Sequence, residues 1–183
     1  MTDKQRKVPA IVRQETVAKT RIFHVEQLDL RFSNGVETRY ERLVGSENGA
    51  VLIVPVLNGD TVLMIREYAA GVHRYELALP KGRVEAGESL LAAANRELME
   101  EAGYAANRLR HLTSLTLAPG YLSHTTHIIL AEDLYPQAAE GDEPEAIEVV
   151  PWPLARLSDL LACEDCTEAR SIAALFLAKE ALS

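Results

Sequence analysis

The sequence predicts an α/β (α+β) fold, a sandwich in which helices flank a mixed sheet. Three observations carry this expectation. Two alternating apolar–polar segments turn at Asn-Gly pairs near the N-terminus, one strongly helical segment stands mid-chain, and further strand-like runs separate it from helical sequence at the C-terminal end.

The elements follow in order. Residues 21–43 alternate about Ser33-Asn34-Gly35, which predicts a hairpin. A second is expected from Ala50–Leu57 and residues 61–66 about Asn58-Gly59-Asp60. Short apolar runs at 75–79, 109–117, 125–132 and 149–152 read as strands. Residues 89–102 read as a helix, with Ser89 as N-cap, Leu91, Ala94, Leu98 and Ala102 as an apolar stripe, and Gly103 as the stop. One helix is expected after Pro153 and another over 167–182.

At 183 residues, with 48% apolar and 25% charged side chains, the chain suffices for one compact domain with a small appendage. Its net charge of −8, without any Lys/Arg block, argues against a nucleic acid polymer as partner. A phosphate-bearing small molecule would need local positive charge, most simply a divalent metal. Neither a signal-peptide core near the N-terminus nor an apolar run of membrane-spanning length is found, so a cytoplasmic protein with no membrane partner is expected. Cys163 and Cys166 form an isolated C-x-x-C between two helical segments, readable as a redox pair, half a zinc site or nothing functional. His124 and His127, three apart in a predicted strand, point to opposite faces and so argue against a shared zinc ion.

The chemistry concentrates in the central helix. Glu97, Glu100 and Glu101 lie three and four residues apart, so one face carries three carboxylates near the helix C-terminus. Such crowding costs about 0.2–0.5 kcal/mol per like-charged pair and opposes the helix dipole. A hard divalent cation offsets it, because Mg²⁺ takes oxygen ligands and pairs carboxylates with substrate phosphates. The glycines of the preceding 81–88 loop are expected to bend the backbone toward this face.

Gly82, Glu88, Arg96, Glu97, Leu98, Glu100, Glu101 and Gly103 together reproduce the pattern G-x5-E-x7-R-E-U-x-E-E-x-G-U, where U is a bulky aliphatic residue. Eight such matches arise by chance on the order of 10⁻⁹ per starting position. Only the last position departs, with Tyr104. On this pattern the chain resembles the Nudix hydrolase family. Pro119, sixteen residues past Gly103, resembles the marker proline of that family's ADP-ribose pyrophosphatase branch, although Ser123-His124 stands where many members carry an acidic pair. Runs such as Phe32-Ser33-Asn34-Gly35-Val36, Ile65-Arg66-Glu67-Tyr68-Ala69 and Glu140-Gly141-Asp142-Glu143-Pro144-Glu145 are similar to bacterial members of the branch, from about Glu15 to the last helix.

The resemblance implies a Nudix α/β/α sandwich over 48–183 and a small N-terminal β-hairpin subdomain over 1–47 that serves dimerisation. It implies hydrolysis of the pyrophosphate bond of ADP-ribose, NADH and diadenosine polyphosphates with release of AMP, by a homodimer using Mg²⁺ or Mn²⁺. It further implies that Glu97, Glu100, Glu101 and the Lys81 carbonyl bind metal, that Glu100 and Glu101 belong to the catalytic set, and that Gly82, Glu88, Arg96 and Gly103 are structural. Glu145, in the acidic 140–148 loop, is the candidate general base or additional metal ligand; the alternative is a solvated loop. Arg66, Pro119, Phe23 and Tyr40 are candidate substrate contacts, the two aromatic residues being equally readable as hairpin or interface packing. Two rival readings are a nucleotide or ADP-ribose sensor that does not turn its ligand over, and an enzyme for another nucleoside diphosphate derivative.

Overall fold

The computed structural model describes residues 7–182 in two compact units. The expected boundaries, 1–47 and 48–183, include residues 1–6 and 183, which lie outside the described residues.

The first unit comprises Met1–Glu47 together with Thr116–His124. Its sheet runs in the order β1 (Ala10–Lys19), β2 (His24–Arg31), β3 (Glu37–Val44), β9 (Leu122–Ser123). The expected hairpin is β2–β3, with Leu28 opposite Tyr40 and Arg31 opposite Glu37. The strand β1 is absent from the sequence-based expectation. Its register against β2 shifts between Ile11 and Arg13 and again between Thr16 and Ala18, so its residues fall out of strict alternation. The parallel pairing of Leu43 with Leu122 draws a distant segment into this unit, which local pattern could not reveal.

The second unit comprises Asn48–Leu115 and Thr125–Ser183. Its strands are β4 (Ala50–Leu57), β5 (Thr61–Ala69), β6 (Arg74–Ala78), β7 (Lys81–Arg83), β8 (Tyr104–Thr116), β10 (Thr125–Pro136) and β11 (Glu148–Pro153). The sheet order is β11-β5-β4-β10-β8, with β6 on β5 and β7 on β4. The sheet is mixed because β10 runs parallel to β4 while β11 runs antiparallel to β5. Both faces of the central strands are covered, as their almost continuous apolar runs require. Leu52, Val54, Ile128 and Leu130 pack with Leu160, Ala174 and Leu175 from the C-terminal helices. Val51, Ile53 and Ile129 point the other way, onto Ala93, Ala94 and Leu98 of the helix α1 (Leu90–Ala102). This alternation makes the helix–sheet–helix sandwich.

The predicted caps of α1 are present. Ser89 accepts a hydrogen bond from the Ala92 N–H, and Gly103, left-handed at φ 73°, donates its N–H to the Leu98 carbonyl. The stripe is rotated from the expected one. Leu91 is 39% exposed, whereas Ala93, Ala94, Leu98 and Ala102 are buried and Leu90 packs partly against them. The segment after Pro153 forms only a 3-10 turn and the four-residue α2 (Leu157–Leu160). The last helix is α3 (Ala169–Leu182), whose first turn is closed by the Glu168 carboxylate accepting from the Ser171 N–H at 2.7 Å. Cys163 and Cys166 lie between α2 and α3 as free thiols, with Cys166 buried in the core. Among the described residues, no helix is long and apolar enough to cross a membrane.

Candidate active site

The carboxylates of α1 open onto a cleft of about 830 Å³ whose opposite wall is the acidic segment 140–147. Nine carboxylates and three cationic side chains line it, so it is a strongly negative concavity that needs an external cation to admit a phosphate. The strand β7 forms its floor. Residues 81–83 read as loop because they contain Gly82 and are short, but they pair with β4, Gly82 opposite Val51. Gly82 is therefore extended, and what it supplies is space rather than a bend: a Cβ there would overlap the Glu97 carboxylate. The chain turns instead at Gly87, φ 81°.

Arg96 organises one side. Its guanidinium donates to both oxygens of Glu88 at 3.1 Å, to Glu97 at 2.8 Å, to Glu100 at 3.0 Å and to the Arg83 carbonyl at 3.0 Å. The Arg96 hydrogen bonds hold the Glu88 carboxyl below its ordinary value. Glu88 also accepts from the Glu85 N–H, which closes the loop ahead of α1. This ion pair, extended by two further carboxylates, ties the loop to the helix.

Burial raises the Glu97 pKa, outweighing Arg96. Glu101, 9% exposed, is pushed up to about 8 by burial, against the opposing pull of Lys81. Its Oε2 accepts the Lys81 backbone N–H at 2.8 Å, while the Lys81 ammonium is taken by Glu67 at 2.6 Å. On the opposite wall burial raises the Glu143 pKa, helped by Glu67 and Asp142. Glu145 Oε1 accepts from the Tyr75 hydroxyl at 2.5 Å, and that contact raises the tyrosine pKa.

The residues present fit a hard divalent ion. The donors are all oxygen, and buried Glu101 and partly buried Glu97 carry a desolvation cost that a cation removes. Among the described residues no three His, Cys, Asp or Glu side chains already converge on a common point; Arg96 and the Lys81 N–H hold the carboxylates apart.

Of the other sequence candidates, Glu145 lines the same cleft. Arg66 lines a smaller adjoining cavity of about 80 Å³ with Tyr68 and residues 143–147, and its guanidinium pairs with Glu148 at 2.9 Å and with Asp165. Pro119, Phe23 and Tyr40 belong to the first unit. Pro119 sits in the turn closed by the Tyr121 N–H and the Ala118 carbonyl. Phe23 is 53% exposed, and Tyr40, 45% exposed, tilts against Phe32 at 6.4 Å. Sequence reasoning missed Glu67, Glu143 and Tyr75. Strand alternation could have separated Glu67 from Arg66, whereas Tyr75 becomes visible only through its contact with Glu145, 70 residues on.

Gly82→Ala tests the cradle. The variant is expected to fold with nearly unchanged Tm, since only the tip of Glu97 must move. Its kcat is expected to fall by up to about 100-fold, the scale of a 1 Å misplacement at a reacting centre.

An acidic helix–loop cleft of this kind, with Arg96 bridging loop and helix, is the core of the Nudix fold, and the chain belongs to the Nudix hydrolase family: residues 47–174 match the NUDIX domain. Residues 9–42 match the NudE-type Nudix hydrolase N-terminal domain. The chain is similar to the ADP compounds hydrolase NudE of Escherichia coli, 51% identical over 94% of this chain and 92% of that one. It is 29% identical to the ADP-ribose pyrophosphatase of Bacillus subtilis over 88% of this chain and 90% of that one. A crystal structure of an ADP compounds hydrolase superposes with a TM-score of 0.91 at 49% identity, covering 98% of this chain and 96% of that chain.

Proposed function

We propose that this enzyme hydrolyses the pyrophosphate bond of ADP-containing compounds such as ADP-ribose, NADH and diadenosine polyphosphates, releasing AMP. The observation that carries the reading is the cleft itself, three α1 carboxylates facing the acidic 140–147 segment. Similarity to the NudE and ADP-ribose pyrophosphatase relatives over most of the chain supports the substrate class.

Glu97, Glu100, Glu101 and the Lys81 carbonyl would hold Mg²⁺ or Mn²⁺, which when bound neutralises the diphosphate and makes its phosphorus more electrophilic. Glu145 accepts the proton of the attacking water, or serves as one more ligand, and Tyr75 sets the position of its carboxylate. Arg96 and Glu88 fix the loop ahead of α1 so that Gly82 leaves room for Glu97. Arg66 and Tyr68 in the adjoining cavity offer a cation and a ring to the distal part of the substrate.

A homodimer is part of the proposal: the first unit exposes Ile11, Val12, Val17 and Phe23, apolar residues that a second copy could cover. So is a cytoplasmic location, consistent with the two free thiols.

The test is release of AMP from ADP-ribose, NADH, diadenosine triphosphate and a nucleoside triphosphate, with Mg²⁺ and with chelator. Metal-dependent turnover of the first three is expected. Tight ADP-ribose binding without turnover would instead make the protein a sensor, and preference for the triphosphate would move it to another branch.

A further inference from the structure

Away from the cleft, two imidazoles meet across β8 and β10. Their rings lie 5.7 Å apart at an interplanar angle of 63°, and the Ser114 hydroxyl stands between them, 3.1 Å from His111 Nε2 and 2.8 Å from His127 Nδ1. A Cβ on Gly49 would come 3.2 Å from His127 Nε2, so this nitrogen faces the backbone at Gly49 while Nδ1 faces the Ser114 hydroxyl.

Each imidazole thus aims one ring nitrogen at the same exposed hydroxyl, so the two lone pairs can converge on one ion. His111 and Ser114 are exposed, which leaves the pair open to solvent ions.

We propose that His111 Nε2 and His127 Nδ1, with the Ser114 hydroxyl beside them, form a second metal site for a borderline divalent cation of the Zn²⁺ class, clipping β8 to β10. Two imidazoles suit zinc, copper or nickel, whereas the all-carboxylate cleft suits Mg²⁺. Binding requires each imidazole to carry its remaining proton on its far nitrogen and gives up the two hydrogen bonds to Ser114, whose exposed side chain can turn aside or stay as an oxygen ligand. Water completes the coordination. The proposal stands apart from the hydrolytic reading, because no residue of the cleft takes part.

The experiment is calorimetric titration of the full chain with Zn²⁺ in excess Mg²⁺, added to compete for the carboxylate cleft, together with Tm measured with and without Zn²⁺. The variants are His111→Ala and, as a control for thiol binding, Cys163→Ser. One Zn²⁺ event that raises Tm is expected for wild type and Cys163→Ser, and its loss is expected for His111→Ala. His111 is exposed, so that variant should keep the wild-type Tm without zinc, which separates loss of a ligand from loss of the fold. Zinc binding that is absent in wild type, unchanged in His111→Ala, or abolished by Cys163→Ser would overturn the proposal.

Discussion

Glu101→Gln is expected to remove turnover while making the metal-free protein more stable. On the proposed assignment the variant loses a charged ligand, and the several kcal/mol that metal polarisation contributes correspond to a fall in kcat/KM of about 10³-fold or more. The stability effect has the opposite sign. The folded-state pKa of Glu101 is about 8 against an ordinary 4.5, so the folded chain holds a proton that the unfolded chain releases between those values. Wild-type stability without metal should fall as pH rises from 4.5 through 8 and then level off, by up to about 5 kcal/mol. Gln stays neutral, so the difference between variant and wild type should open over that window. Added Mg²⁺ should narrow the difference by stabilising wild type alone. Thermal unfolding in chelator from pH 5 to 9 checks this; parallel curves for the two proteins would remove Glu101 as the buried titrating group.

The second large effect is expected from Glu145→Gln, a fall in kcat of about 10²–10⁴ if this carboxylate is the base. The dependence on Mg²⁺ concentration separates its two proposed roles. A base leaves the metal requirement unchanged while kcat falls, and a ligand shifts the requirement upward. Tyr75→Phe removes the hydroxyl that holds Glu145 and should give a smaller loss of kcat, absent when placed on Glu145→Gln. Near-wild-type kcat in Glu145→Gln would return the 140–148 segment to the status of a solvated loop.

The parts of this protein legible in the sequence are those written locally. The helix α1 carries its own caps in Ser89 and Gly103, and the box spacing places Glu88 and Arg96 where one guanidinium spans the loop. Both Asn-Gly hairpins are likewise local. Illegible were features decided by partners far along the chain. The strand β1 has its alternation interrupted by register shifts, and β7 is too short and glycine-containing to declare itself. The exposure of Leu91 follows from which turn of α1 the sheet reaches. Within the site, the box announced Glu97 and Glu101 as carboxylates, but their unequal burial depends on the strands beneath, and Glu67 enters only through Lys81.

The parallel pairing of β4 with β10 also sets an order of assembly. The hairpin of β4 and β5 can form as soon as residue 69 is made, but the other edge of β4 waits for a strand whose first paired residue, Thr126, stands opposite Ala50. The outer edge of β5 waits longer, for Glu148 to reach Arg66. Such distant closures are the slow events of folding, because loop entropy is lost before the contacts form. During synthesis the box sequence therefore emerges well before the wall that faces it. A nascent chain carries its crowded carboxylates in solution, and the cleft closes late, when the 140–147 segment is held between two newly docked strands.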